Sequence, residues 1–279
     1  MVRQVNLFTP GDERRMVEKS LRSDADMIVL DIEDAVAPSQ KQTAGETISE
    51  VLDETPAEEI TVEVTVRINP LETRGEDDLA NIADASDKIT GIVLPKVRGP
   101  GTVNDLDGLL DEYGIDAAIM PIIENPECLL RIEEIATHPR VDALEFGAED
   151  FTTEIGGIHT HEREEILYAR QKVVVAASAA GIDAIDMAWP DYQDTEGLRR
   201  NAQQAVEFGY DGKSAIHPVQ IEVIRDAFMP DDDQIEWAEK VVAGADEAEK
   251  EGKVVFQLEG EMIDPPIINR AHDILERAG

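Results

Sequence analysis

Residues 117–150 read AAIMPIIENPECLLRIEEIATHPRVDALEFGAED. The segment opens on an apolar run (117–123), passes through ENPECLLRIEEIA with apolar residues at helical spacing, and closes on a second apolar run, ALEFG (143–147). A parallel strand covered on both faces reads as a continuous apolar run, and a helix returning over it sets up the next strand. Each run stops at polar residues: Glu124 and Asn125 after the first, Glu149 and Asp150 after the second. The stretch therefore reads as a βα unit with its polar groups gathered at the strand ends.

The unit repeats in both directions. Upstream lie VNLFT (5–9), DMIVLDI (26–32), ITVEVTVRIN (60–69) and ITGIVLP (89–95); downstream lie IDAIDMA (182–188) and DGKSAIH (211–217), making eight runs. The segments RRMVEKSLRS, QKQTAGETISEVL, EREEILYARQKVVVAASAA and DTEGLRRNAQQAVEFG carry helical apolar spacing, and Gly181 and Gly209 mark left-handed C-caps. Eight βα units in about 220 residues predict an α/β fold of the (β/α)₈ TIM-barrel type, and neither G-x-G-x-x-G nor a Walker A motif points to a doubly wound sheet. After His217 the character changes to a helix around IEVIRDAF, the turn PDDD, a long helix over 234–250, a short strand VVFQLEG and a last helix after DPP. A catalytic barrel over 1–228 and a C-terminal helical extension or lid over 229–279 are expected.

Of the 279 residues 42% are apolar, enough for one large core. No apolar run approaches the ~18 residues that cross a bilayer, and MVRQVNLFTPGDERR lacks the apolar segment of a signal peptide, so a cytoplasmic location without membrane contact is expected. Asp and Glu number 61 against 25 Lys and Arg, a formal net charge of -36. Self-repulsion of that size weakens a compact state in dilute salt and is screened by concentrated counter-ions, the pattern of a halophile. A chain without a basic stripe is not built for nucleic acid. The single cysteine, Cys128, sits among apolar neighbours as core filler.

In a TIM barrel the active site lies at the C-terminal strand ends. Those positions hold Asp31, Glu33 and Asp34 after the second run, Arg67 and Asn69 at the third, Lys96 after the fourth, and Glu124, Asn125, Glu149 and Asp150. Glu124 and Asp150, from adjacent strands, suit a hard divalent ion, since Mg²⁺ takes one or two carboxylates with water and substrate oxygens completing its shell. The plainer alternative is that each caps a helix. Arg67 cannot shed its charge and must face a carboxylate: a bidentate clamp on a 2-oxo acid, or an internal pair with Asp31 or Glu33. Lys96 is a Schiff-base lysine or a phosphate contact. His159 and His161 lack a further zinc ligand at suitable spacing and are expected as solvated loop residues, and His217 is expected to pack.

In order, DMIVLDIEDAVAPSQK, VTVRINP, GIVLPKV, MPIIEN, LEFGAEDF and YDGKSAIHPVQI resemble the successive motifs of the citrate lyase β-subunit and malyl-CoA lyase family, the HpcH/HpaI aldolases. The resemblance runs from about Leu7 to Asp264 and implies a TIM-barrel lyase that uses Mg²⁺ and a coenzyme A thioester and assembles as a homo-oligomer, a trimer or hexamer. It makes Glu124 and Asp150 the metal ligands, puts Arg67 on the 2-oxo acid or thioester oxygen, and sets Asp31, Glu33 and Asp34 around the metal-bound waters. Asp264, in FQLEGEMIDPPIINRA, matches an acid/base aspartate that acts on the acetyl carbon, often across a subunit boundary; its plainer reading is a helix cap. The candidate catalytic residues are thus Arg67, Asp264, Glu33 and Asp34, and the candidate substrate contacts Arg67, Asp31, Arg14, Lys41 and Lys96. One departure stands out: Lys41 is followed by Ala44-Gly45 where the family carries an Arg near the nucleotide end of CoA, leaving Arg14, Arg15 or Lys41 for the phosphates. The implied reaction is retro-Claisen cleavage or formation of malyl-, methylmalyl-, citramalyl- or citryl-CoA. The rivals are a CoA-independent, metal-dependent 2-oxo acid aldolase and a subunit that needs an acyl-carrier partner.

Overall fold

Period-two alternation decides which way each strand's side chains point, and it places the candidate site. The computed structural model describes residues 3–250 and 252–278. Strands β1 (Val5–Pro10), β2 (Met27–Asp31), β3 (Glu63–Arg67), β4 (Gly91–Leu94), β5 (Ala118–Ile123), β6 (Ala143–Phe146), β7 (Asp183–Asp186) and β8 (Gly212–Ala215) pair in parallel, each with the next and β8 with β1, as a closed barrel. Each expected run holds one of these strands. Met27, Val29, Val93, Met120, Ile122, Ala143 and Ile185, joined by Phe8, form the apolar plug on the inward faces. Two residues further along those faces come Asp31, Glu124 and Glu145, so the pattern that fills the barrel also turns carboxylates into its mouth.

Around the barrel run α1 (Arg14–Ser20), α2 (Lys41–Glu54), α3 (Gly75–Ile82), α4 (Pro100–Tyr113), α5 (Pro126–Leu130), α6 (Ile132–Ala136), α7 (Ala148–Glu154), α8 (Leu167–Ala180) and α9 (Thr195–Phe208). Gly181 and Gly209 end α8 and α9 at φ 72° and 92°, a left-handed conformation that costs glycine nothing. The expected helix over ENPECLLRIEEIA is interrupted at Arg131, whose φ of -120° and ψ of 16° leave the helical region. The Arg131 amide closes a tight turn on the Cys128 carbonyl at 3.0 Å.

The chain divides into two compact units, Met1–Ile224 and Arg225–Gly279, with α10 (Val219–Phe228) spanning the division. The second unit holds α11 (Asp232–Lys250), β9 (Phe256–Leu258), β10 (Glu261–Ile263) and α12 (Pro265–Ala278). VVFQLEG, expected as one short strand, supplies the first strand of a hairpin. Glu259 at φ 49° and Gly260 at φ 95° make its turn, the pair of positive φ values that suits right-twisted strands. The core of this unit is Ala238, Val241, Ile263, Ala271 and Ile274. Among the described residues no helix is long and apolar enough to cross a membrane.

Candidate active site

Arg67 ends β3 and turns inward, its guanidinium 5.1 Å from the Phe8 ring centroid. Its Nε and Nη2 donate to the two oxygens of Asp31 at 2.8 and 2.6 Å, and Nη1 stands 3.1 Å from Glu33 Oε2. Burial works against the guanidinium charge, but the Asp31 hydrogen bonds and the charges of Asp31, Glu33 and Asp34 together outweigh it and raise the pKa. Asp31, only 1% exposed, also accepts from the amides of Glu33 and Ala35. The internal pair is therefore the one the protein makes, with Asp31 holding Arg67 from behind while Arg67 and Asp34 face the cavity. Glu33 carries the cost: burial, against the opposing pull of Arg67, pushes its carboxyl up to about 7.

The second cluster sits at the ends of β4, β5 and β6. Lys96 adopts φ 54°, uncommon for a residue with a side chain, and in that conformation its amide donates to Glu124 Oε1 at 2.5 Å. Its ammonium stands 3.4 Å from the same oxygen and bonds Asp150. The Glu124 and Asp150 carboxyls meet each other. Burial, with Asp150 adding to it and Lys96 opposing, raises Glu124 to about 8, whereas Asp150 is held low by Lys96 against its own burial. Gly147 makes room, since a Cβ there would lie 2.6 Å from Glu124 Cβ.

These groups open into a cavity of about 280 Å³ lined by Phe8, Asp34, Arg67, Glu124, Glu145 and Asp150, with Ile122, Met187 and Ile216 among its apolar walls. Two carboxylates that share one cation, the Lys96 ammonium, are a donor set of the kind that suits a hard divalent ion. Among the described residues no three or more His, Cys, Asp or Glu side chains gather as a metal cage.

Other expected residues fall elsewhere. Asn125 caps α5, accepting from the Cys128 amide at 2.9 Å, and Asn69 donates to Asp78 at 2.6 Å while receiving Lys41. Arg14, expected at a CoA phosphate, is not among the cavity residues; it pairs with Glu18 on its own helix and ties α1 to α2 through Glu50 and Glu54. Asp264 heads α12, its carboxylate accepting from the Ile267 amide at 3.3 Å. His159, expected as a solvated residue, faces Glu149 at 3.3 Å, and His217 is exposed and stacks on Tyr192 with 4.6 Å between centroids. Sequence reading missed Glu145, on β6, which accepts from Ser214 Oγ at 2.6 Å, and the buried ions Arg170, Asp186 and Lys213. The signal for Glu145, Asp186 and Lys213 was a charged residue inside a strand run.

A closed parallel barrel with paired carboxylates and a forked arginine at its mouth defines a TIM-barrel enzyme. The HpcH/HpaI aldolase/citrate lyase family model matches residues 4–218. Mouse (Mus musculus) mitochondrial citramalyl-CoA lyase is 34% identical over 295 residues, covering 99% of this chain and 86% of that protein. Citrate lyase subunit beta of Haemophilus influenzae is 34% identical over 286 residues, covering 99% and 97%. The crystal structure of CitE from Mycobacterium tuberculosis in complex with magnesium, acetoacetate and coenzyme A superposes with a TM-score of 0.85 at 29% identity, over 100% of this chain and 98% of that one. This chain belongs to the HpcH/HpaI aldolase/citrate lyase family.

Proposed function

We propose that this chain is a Mg²⁺-dependent carbon–carbon lyase that cleaves or forms a 3-hydroxyacyl-CoA thioester of the malyl-, methylmalyl-, citramalyl- or citryl-CoA type. The lyase class and the use of magnesium and a CoA thioester rest on the family and on what its relatives are named for. The observation that carries the site assignment is the meeting of Glu124 and Asp150 around a cation, with Arg67 on the same cavity. Mg²⁺ supplies Lewis-acid polarisation of a carbonyl oxygen, worth several kcal/mol in such reactions.

The protein's part is orientation and proton handling. Glu124 and Asp150 would hold the ion, and the Lys96 ammonium that now contacts both would have to move aside. Arg67, braced by Asp31, offers its Nη1 edge to the carboxylate of the 2-oxo acid, and Glu33 and Asp34 surround that edge. In the cleavage direction the bond between the two carbons beside the hydroxyl and the thioester breaks. The hydroxyl oxygen becomes the new carbonyl as its proton passes to water, and the carbon next to the thioester keeps the electron pair, delocalised onto the thioester oxygen as an enolate. Asp264, of this subunit or of a neighbouring one, would return a proton to that carbon.

Two supports bear on the setting. The net charge of -36 favours a high-salt cytoplasm. Leu130 on α5 and Tyr168 and Val175 on α8, helices that pack together, are each more than two-thirds exposed, which favours a homo-oligomer. A CoA-independent 2-oxo acid aldolase would keep the carboxylates and Arg67 and leave Asp264 as the cap it is here. The test is turnover of malyl-, citramalyl- and citryl-CoA by the purified protein in high KCl with Mg²⁺. Activity on one of them, lost in Glu124→Ala, is expected; cleavage of free 2-oxo acids alone would favour the aldolase, and activity only with an acyl-carrier partner would favour the subunit reading.

A further inference from the structure

Next to the buried ions Arg170 and Lys213 lies a small niche that the proposed chemistry does not use. Gly197, Arg200, Asn201 and Gln204 stand three or four residues apart along α9 and so share one face. With Trp189 and the loop residues His161 and Glu162 they line a cavity of about 50 Å³. Buried cations orient both amides: Asn201 Oδ1 accepts from Lys213 Nζ at 2.6 Å, and Gln204 Oε1 accepts from Arg170 Nη1 at 2.5 Å. With the oxygens engaged there, each amide has its NH₂ group left to offer, and that group only donates. Trp189 is 7% exposed, and its indole Nε1–H has no hydrogen-bond partner among the described residues. The nitrogen edge of the indole is turned to Gly197, where a Cβ would lie 2.8 Å from Cζ2, the ring atom on that edge. Two further cations stand close: Arg200 is 3.5 Å from His161 Nε2, and the Arg163 guanidinium is 5.7 Å from the indole centroid.

We propose that this niche binds a compact monovalent anion, chloride, through Trp189 Nε1–H, the Asn201 and Gln204 NH₂ groups and Arg200. Water answers such a donor set poorly, because a water molecule accepts two hydrogen bonds and must also place two protons of its own. A spherical anion takes donors from every side. The niche is small beside the cavity of about 280 Å³ at the barrel mouth, so it suits an ion and not an organic acid. Among the described lining residues Glu162 alone is acidic, and it is exposed. The net charge of -36 opposes any anion at low salt, but at molar salt the screening length falls to about 3 Å and the local donors decide. Occupancy would tie the segment after β7 to α9 and to the loop carrying His161. A ligand that binds only the folded chain stabilises it in proportion to occupancy.

Thermal melting of the full chain at fixed potassium, with glutamate exchanged for chloride, reads the occupancy, since glutamate is too large for the niche. Wild type is expected to melt about 3 °C higher once chloride reaches ten times its dissociation constant. General effects of the two salts act on every variant alike, so the difference between proteins carries the answer. Trp189→Phe keeps a ring and removes the N–H, and Arg200→Gln removes a charge at an exposed position. Each should cut the chloride increment to half or less, whereas Glu162→Gln should enlarge it. Crystals soaked in potassium bromide should show an anomalous-scattering peak beside Trp189 Nε1. If Trp189→Phe does not fold, Arg200→Gln and the bromide peak decide. An increment that is the same in wild type and Arg200→Gln, or the absence of bromide beside Trp189, overturns the assignment.

Discussion

Two sets of charges in the barrel unit are built on opposite plans. Behind β7 and β8, Asp186 takes Arg170 Nε and Nη2 at 3.0 and 2.9 Å and Lys213 Nζ at 2.7 Å, while Lys213 also donates to Asn201 and to the Met187 carbonyl at 2.6 Å each. Two cations share one carboxylate and neutral oxygens take up the remainder, with exposures of 0 to 1%. At the mouth the balance is reversed: among the described residues, the cations paired with Asp31, Glu33, Asp34, Glu124 and Asp150 are Arg67 and Lys96. Like charges touch, Lys96 holds a left-handed backbone, and Glu124 and Glu33 are pushed toward neutrality. The triad is closed and serves the fold. The mouth is short of positive charge, which folding alone would not favour and which a bound cation relieves.

The largest effect that separates the two belongs to the triad. Asp186→Ala leaves two buried cations unpaired and should lower unfolding free energy by about 3–5 kcal/mol in a denaturant titration; a loss under 1 kcal/mol would erase the contrast. Glu124→Gln should do the reverse. Turnover falls about a thousandfold, roughly 4 kcal/mol of barrier, while the stability of the metal-free protein is unchanged or rises because Asp150 no longer meets a like charge. Removing Mg²⁺ with a chelator should cost the wild type about 2.7 kcal/mol relative to protein at a hundred times the dissociation constant, and cost Glu124→Gln much less.

Glu145 sharpens the contrast through pH. Burial raises its carboxyl from 4.5 to about 7, so the folded state holds the proton more tightly than the unfolded chain. Its contribution to stability is complete below pH 4.5 and is lost as pH rises through about 7. The melting temperature of wild type should therefore fall relative to Glu145→Gln between pH 5 and 8, and parallel curves would refute this. The smallest effect is at Asp264: Asp264→Ala should cost about 1 kcal/mol as a lost cap, Asp264→Ser should recover that, and neither should recover turnover.

Much of this was legible before any coordinates. The eight strands could be read because buried parallel strands have few ways to be anything but apolar, and the helices because their apolar period matches one face. The two C-cap glycines could be read because a left-handed residue at a helix end selects glycine. The hairpin turn at Glu259–Gly260 escaped, since Glu is not a residue that announces positive φ. So did Glu145, because a single acid within an apolar run has no local signature that separates a barrel floor from an outward pair such as Asp186.

The sequence by itself determined the barrel and the short list of strand-end polar groups, because both follow from periodicities of a few residues. Only the tertiary structure decided which of those groups meet. Glu124 and Asp150 are brought together by the pairing of β5 with β6 and by the room at Gly147. Arg67 is turned to the cavity by Asp31 across the β2–β3 pairing, and Asn69 and Asn125 are drawn off into structural bonds. Charges attract through space and not along the chain, so which partner each one finds is settled by strand register and closure, which no local pattern records.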